Sequence, residues 1–129
     1  MLITSIPQYV QGITNAKVDL TNTNDTVLYT APSDADFNAS IVNSILVSND
    51  SGSADTITVT LVSGSDTFSL FKLEEVGALS SKELLLKDLI LQSGEIIKVQ
   101  AATGARLHVV ASIQEITKQR ITTSALANI

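Results

Sequence analysis

The stretch TITVTLV, residues 56–62, places Ile57, Val59 and Leu61 on one side and Thr56, Thr58 and Thr60 on the other. A period of two with β-branched residues is the pattern of a half-buried strand. The same grammar recurs along most of the chain. KVDLT (17–21) and TVLYT (26–30) flank the turn-forming NTND, and the pair reads as an opening hairpin. After a loop containing Pro32 comes ASIVNSILVSN (39–49), in which Ile41, Ile45 and Val47 share a face interrupted by Asn43, with Ser40, Ser44 and Ser48 marking the other. The small polar turns DSGSAD and SGSD then lead into TITVTLV and TFSLFKL, so Ile41 to Leu73 reads as a three-stranded meander.

The leucine-rich part from Glu74 to Gln92 has helical propensity in Leu84, Leu85, Leu86, Leu89 and Leu91. Its flanks GALSS and QSGE are turn-like, and two short strands joined by a bend around Lys87 and Asp88 fit better. The last pair is clear. EIIKVQA sets Ile97, Val99 and Ala101 on one face, and after the ATG turn ARLHVVASI sets Leu107, Val109, Ala111 and Ile113 inward against Arg106, His108 and Ser112. About eight short strands with regularly spaced turns predict an all-β chain, a single antiparallel β-sandwich of jelly-roll type over residues 17–116.

A chain of 129 residues suits one domain burying roughly two thirds of its unfolded surface. Cysteine is absent, which excludes disulfides, thiolate catalysis and cysteine-based zinc sites. The net charge is -5 and the eight basic residues are scattered; a nucleic-acid binder needs a basic stripe, so direct nucleic-acid binding is not expected. No apolar stretch reaches the roughly 18–20 residues of a membrane span, and the start lacks the pattern of a signal peptide. The expectation is synthesis in the cytoplasm without a cleaved export signal, and no membrane partner.

Candidate chemistry is sparse. His108 is the single histidine, and on an outward strand face it reads as a surface residue without partners for a transition metal. Asp34, Asp36, Asp50 and Asp55 are oxygen donors in loops, but the calcium-loop spacing is missing and Asp in a turn ordinarily serves the backbone. The Asn-x-Ser/Thr triplets at Asn24, Asn38 and Asn49 read as accidental in a Ser/Thr-rich chain. A sugar-binding module needs aromatic platforms; tryptophan is absent, and Phe68 and Phe71 fall on opposite faces of one strand by parity. No catalytic residue, cofactor or metal is assigned, and the chain is read as not an enzyme.

The two ends stand outside the strand pattern. Residues 1–16 and 117–129 lack sustained alternation yet carry apolar side chains, and they read as arms that order on a neighbouring subunit. The candidate partner-binding residues are Ile3, Ile6, Tyr9 and Val10 in the first and Ile121, Leu126 and Ile129 in the second.

The order of segments has a counterpart. DTVLYTAP, then SILVSNDSGSADTITVTL, then LILQSGEIIKVQA and RLHVVASIQEI resemble small virion-associated structural proteins of tailed bacteriophages. The residues that carry the resemblance are Leu28, Tyr29, Pro32, Ser44 to Asn49, Thr58, Leu91, Gly94, Ile97, Val99, Gln100 and Ala101. It spans Val18 to Ile116 and leaves out the arms; Glu95 stands where the pattern has Asp. The resemblance implies a head decoration or cement protein that binds the outer capsid surface, joins major capsid protein subunits and forms a homo-oligomer, a trimer by analogy with local three-fold sites. Its rivals are a phage tail, neck or fibre protein and, from another class, a carbohydrate-binding module using Tyr9 or Tyr29.

Overall fold

The computed structural model describes the backbone of residues 8–118 and the side chains of residues 12–118. Within them the chain is all strand and loop: β1 (Gln8–Leu20), β2 (Thr26–Thr30), β3 (Phe37–Asn49), β4 (Asp55–Ser63), β5 (Asp66–Val76), β6 (Ser80–Glu83), β7 (Leu89–Leu91), β8 (Ile96–Ala101) and β9 (Leu107–Lys118). Two antiparallel sheets form. Sheet A runs β1-β9-β3-β6, with β7 pairing further along β3, and sheet B runs β2-β8-β4-β5. If β6 and β7 are taken as one interrupted strand, eight strands divide into two four-stranded sheets in the order of a jelly roll.

Three expected neighbours separate. β1 and β2 do not form a hairpin, β3 does not continue into β4 as a meander, and β8 and β9 lie in opposite sheets; β4–β5 alone among these is a hairpin. Turn residues announce a reversal but not which sheet receives the next strand. Loop length decides it. The β4–β5 turn consists of Gly64 and Ser65, with Gly64 at φ 61, as a tight hairpin turn with a left-handed first position requires. The connections 21–25, 50–54 and 102–106 are longer and bridge layers about 10 Å apart. Two of them touch: a Cβ on Gly104 would stand 2.7 Å from the carbonyl oxygen of Thr21, so this crossing admits glycine alone without displacement of the backbone.

The leucine-rich stretch forms β6 and β7 with a bend between, as two short strands. The phase of β3 departs from expectation. Its register with β9 shifts between Val42 and Ser44, and one extra residue there reverses the inward parity. Ser40 and Val42 point inward before the bulge, Ile45, Val47 and Asn49 after it. Ile41 therefore faces outward beside Ile90, and Ser40 lies in the core.

The core sits between the sheets. Val42, Ile45, Val47, Leu91, Leu107, Val109, Ala111 and Ile113 of sheet A meet Ile57, Val59, Val76, Ile97 and Val99 of sheet B, all fully buried. Each large aliphatic side chain so buried contributes about 1.5–3 kcal/mol. The inward sets read from β4, β8 and β9 are those observed. The boundary placed at Ala16 falls inside β1, whose residues from Gln8 onward pair with β9 up to Lys118.

Candidate interaction surfaces

His108 stands on the outer face of sheet A, where the register aligns Asp19, His108, Ser48 and Ser81 across β1, β9, β3 and β6. Its Nδ1 lies 3.1 Å from Asp19 Oδ1 and its Nε2 3.1 Å from Asp50 Oδ2. A general base needs a ring nitrogen facing a nucleophile. Both nitrogens here face carboxylates, so the imidazole ties the end of β1 to the β3–β4 connection.

The acidic side chains follow the same logic. Asp55 is buried at the start of β4, where it accepts the N–H of Thr56 at 2.8 Å and of Thr103 at 3.0 Å, joining β4 to the β8–β9 connection. Glu83 accepts the N–H of Ile45 at 2.8 Å and of Leu85 at 3.1 Å, and pairs with the Ser44 hydroxyl beside the β3 bulge. Burial pushes its carboxyl up, but the Ser44 hydroxyl and the N–H groups of Leu85, Ile45 and Leu84 outweigh this and hold it below the usual carboxylate range. Asp34 and Asp36 line a cleft of about 250 Å³ with Pro32, Phe37, Glu115 and Thr117. Among the described residues no group of three or more His, Cys, Asp or Glu is placed to hold a metal ion.

The aromatic candidates are placed differently from the parity reading. Phe68 lies opposite Leu61 and Phe71 opposite Val59, so both lie on the inner face of sheet B; the register shift between Val59 and Thr60 brings them together. Phe71 packs on the core while Phe68 is half exposed near the hairpin tip. Tyr29 is half-buried, its hydroxyl 2.7 Å from Ser40 Oγ and donating to Glu115. Burial raises its pKa to about 12, helped by the Glu115 carboxylate and opposed by Ser40. Its hydroxyl is engaged between the sheets and not offered to a ligand. Asn49 is buried, its amide donating to the carbonyls of Ser53 and Val76 and accepting from Ser51, which leaves it inaccessible as a glycan acceptor.

The feature that parity reasoning missed is the outside of sheet A. One lateral row reads Ile90, Ile41, Gln114 and Ile13 across β7, β3, β9 and β1, and another reads Glu83, Leu46, Val110 and Lys17 across β6, β3, β9 and β1. Ile13 is 78 % and Ile90 62 % exposed, and Leu46 and Val110 are about two fifths exposed. Their signal was present in the sequence as unbroken apolar runs, ILV at 45–47, LIL at 89–91 and VVA at 109–111. Consecutive apolar residues in a strand mean that both faces are apolar.

Of the candidate arm residues, Tyr9 and Val10 fall in β1, opposite Thr117 and Ile116 of β9. Ile3, Ile6, Ile121, Leu126 and Ile129 lie outside the described residues.

No protein-family model matches this chain, and no curated protein matches it. Solved structures share its fold. A chain in the acid-stable capsid structure of Helicobacter pylori bacteriophage KHP30 is 12% identical, with 91% of this chain covering 100% of that one at a TM-score of 0.55. A chain of infectious bursal disease virus, Gx strain, is 10% identical over 82% of this chain and 32% of that one, at 0.52. A pentameric capsid protein from metagenomic phage sequences is 18% identical over 80% of this chain at 0.46, and this chain spans 62% of its length. At such identities the likeness is one of fold, shared with a chain of the KHP30 capsid structure and a chain of infectious bursal disease virus.

Proposed function

We propose that this chain is a non-enzymatic structural protein of a bacteriophage virion, a head decoration or cement protein that binds the outer capsid surface across junctions between major capsid protein subunits. The observation that carries this reading is the outer face of sheet A, where Ile13, Ile41, Ile90, Leu46 and Val110 stand in rows on a rigid sheet. A natural sandwich exposes such a face when another protein covers it. The fold shared with the whole of a chain in the KHP30 capsid structure supports the class of that partner, and the segment order from Val18 to Ile116 adds the virion-associated resemblance. Binding to the assembled shell stabilises the assembled state alone. The protein acts as a homo-oligomer, a trimer at local three-fold positions, made in the bacterial cytoplasm and incorporated on the capsid surface.

The test is quantitative immunolabelling of purified virions, scored for position and copy number. Hundreds of copies distributed over the head are expected. A few copies confined to tail or neck would replace the decoration role with the tail, neck or fibre one, and absence from the particle would overturn both.

A further inference from the structure

The outer face of sheet A carries opposite charges at its two margins. One level across the four strands reads Lys17 on β1, Val110 on β9, Leu46 on β3 and Glu83 on β6. A cation and an anion thus flank two exposed apolar side chains. At ~4.8 Å per strand the two charges stand about 14 Å apart, too far to pair within one chain. Lys17 is exposed and makes no ion pair among the described residues. Glu83 is held in place by the N–H groups of Ile45 and Leu85 and by the Ser44 hydroxyl, and a carboxylate with about four acceptor sites keeps room for an ammonium group. Two levels further along, Ile13 on β1 and Ile90 on β7 occupy the same two margins. Asn15, Ser112 and Ser44 form the polar level between.

We propose that in the free protein this face is covered by the same face of a second copy, the two sheets packing about a two-fold axis that lies between them and runs along the strands. Such an axis exchanges the margins and keeps each level. Lys17 then meets Glu83 of the second copy, Val110 meets its Leu46, Ser112 its Ser44 and Ile13 its Ile90. Charge faces opposite charge, apolar faces apolar and hydroxyl faces hydroxyl, and the Lys17–Glu83 pair forms twice. The other two-fold in the plane of the contact, running across the strands, reverses the levels about Ser112. It would set Lys17 on Ile13 and Glu83 on Ile90 and bury both charges unpaired, which is costly. Charge complementarity therefore selects both the occupant and the axis. Aligned sheets stack about 10 Å apart, and an isologous contact of this kind closes at two chains. Dimerisation and attachment to a shell use one face and exclude each other, so the dimer is a form of the unattached chain. The inference rests on the levels of sheet A and stands whether or not the partner of that face is a capsid.

The test uses the purified full-length chain, with mass measured by sedimentation equilibrium across a concentration series. A mass of two chains is expected at the upper end of the series; a monomer throughout, or three chains, would overturn the proposal. Lys17→Glu sets like charges opposite each other twice and should weaken the dimer at least tenfold. Its far-ultraviolet spectrum and melting temperature should stay unchanged, because Lys17 is exposed and outside the core. Cross-linking then reads the axis, cleanly so in a chain without cysteine. Full-length copies carrying Ile13→Cys and copies carrying Ile90→Cys, both at exposed positions, are treated with a short bis-maleimide linker, separately and mixed. The mixture should join far faster than either preparation alone, since the axis brings residue 13 of one copy to residue 90 of the other and keeps like positions at opposite margins. Association unchanged by Lys17→Glu, or linkage no faster in the mixture than in the separate preparations, would overturn the assignment.

Discussion

The outer faces of the two sheets are built from different residues. On sheet B, Thr56, Thr58 and Thr60 stand beside Gln100 and Lys98, and the large apolar side chains exposed there, Val27 and Leu73, stand apart among these polar neighbours. On sheet A, Ile13, Ile90, Leu46 and Val110 occupy the corresponding outward positions. Threonine satisfies a strand while hydrogen-bonding to water, so sheet B is complete in solvent. Sheet A has its exterior apolar surface arranged in rows, and leaving it wet forfeits the gain of covering it. The same backbone architecture thus carries a threonine-rich outer face on one sheet and an outer face with exposed isoleucine, leucine and valine on the other.

The sharpest way to expose that difference is a pair of adjacent substitutions in β3. Ile45 is fully buried and Leu46 is partly exposed. Ile45→Ala should destabilise the isolated protein by about 2–5 kcal/mol, whereas Leu46→Ala should change it by less than ~0.5 kcal/mol; chemical denaturation of both variants measures the contrast. Similar losses at the two sites would mean that Leu46 is a core residue and that sheet A has no free face.

Next in size come the carboxylates that anchor each sheet. Asp55→Ala removes the buried carboxylate that accepts the N–H groups of Thr56 and Thr103 and should cost about 1.5–3 kcal/mol, the range for hydrogen bonds to a charged group. Glu83, exposed and beside the bulge that turns Leu46 outward, contributes at most about 1 kcal/mol after solvent screening. Because its folded pKa is lowered, that contribution is present above the ordinary carboxylate pKa and disappears as pH falls through the folded value. Stability of wild type and Glu83→Gln should therefore differ at neutral pH and converge in acid. A gap that persists at pH 2 would assign the effect to packing and not to the charge.

How much of this was legible depended on whether a residue's role is local. Inward sets in β4, β8 and β9 follow from parity along an uninterrupted strand, and Ile57, Val99 and Ile113 were readable for that reason. Parity fails where an extra residue enters, and nothing in SIVNSI marks Asn43 as the place where β3 changes phase. Allocation to sheets was equally hidden, since turn residues at 21–25 and 102–106 encode reversal and only the layered packing decides the destination. His108 was visible as a surface residue, but Asp19 and Asp50 reach it from distant parts of the chain. Residues 8–16 escaped notice because β1 is an edge strand near the end of the sandwich, where Gly12, Thr14 and Asn15 have no strict alternation to display. The apolar runs at 45–47, 89–91 and 109–111 did carry the site, and reading them as two-faced strands would have found it.

The smallest effect on folding gives the cleanest comparison of the faces. Leu46 stands opposite Glu83, and Thr60 stands opposite Lys98. Leu46→Lys and Thr60→Glu each introduce a charge facing its complement, a pairing that contributes roughly 0.2–1 kcal/mol in a sheet. Neither removes a core contact, so both variants should fold with melting temperatures close to wild type. They differ in one respect: Leu46→Lys puts a charge beside Val110 in place of an exposed apolar side chain of sheet A, and Thr60→Glu adds one to a site that is already polar. Attachment to particles, measured as copies retained per virion after purification, should fall at least tenfold for the first and stay level for the second. If Thr60→Glu instead detaches the protein and Leu46→Lys does not, sheet B is the covered face and the roles of the two sheets are reversed.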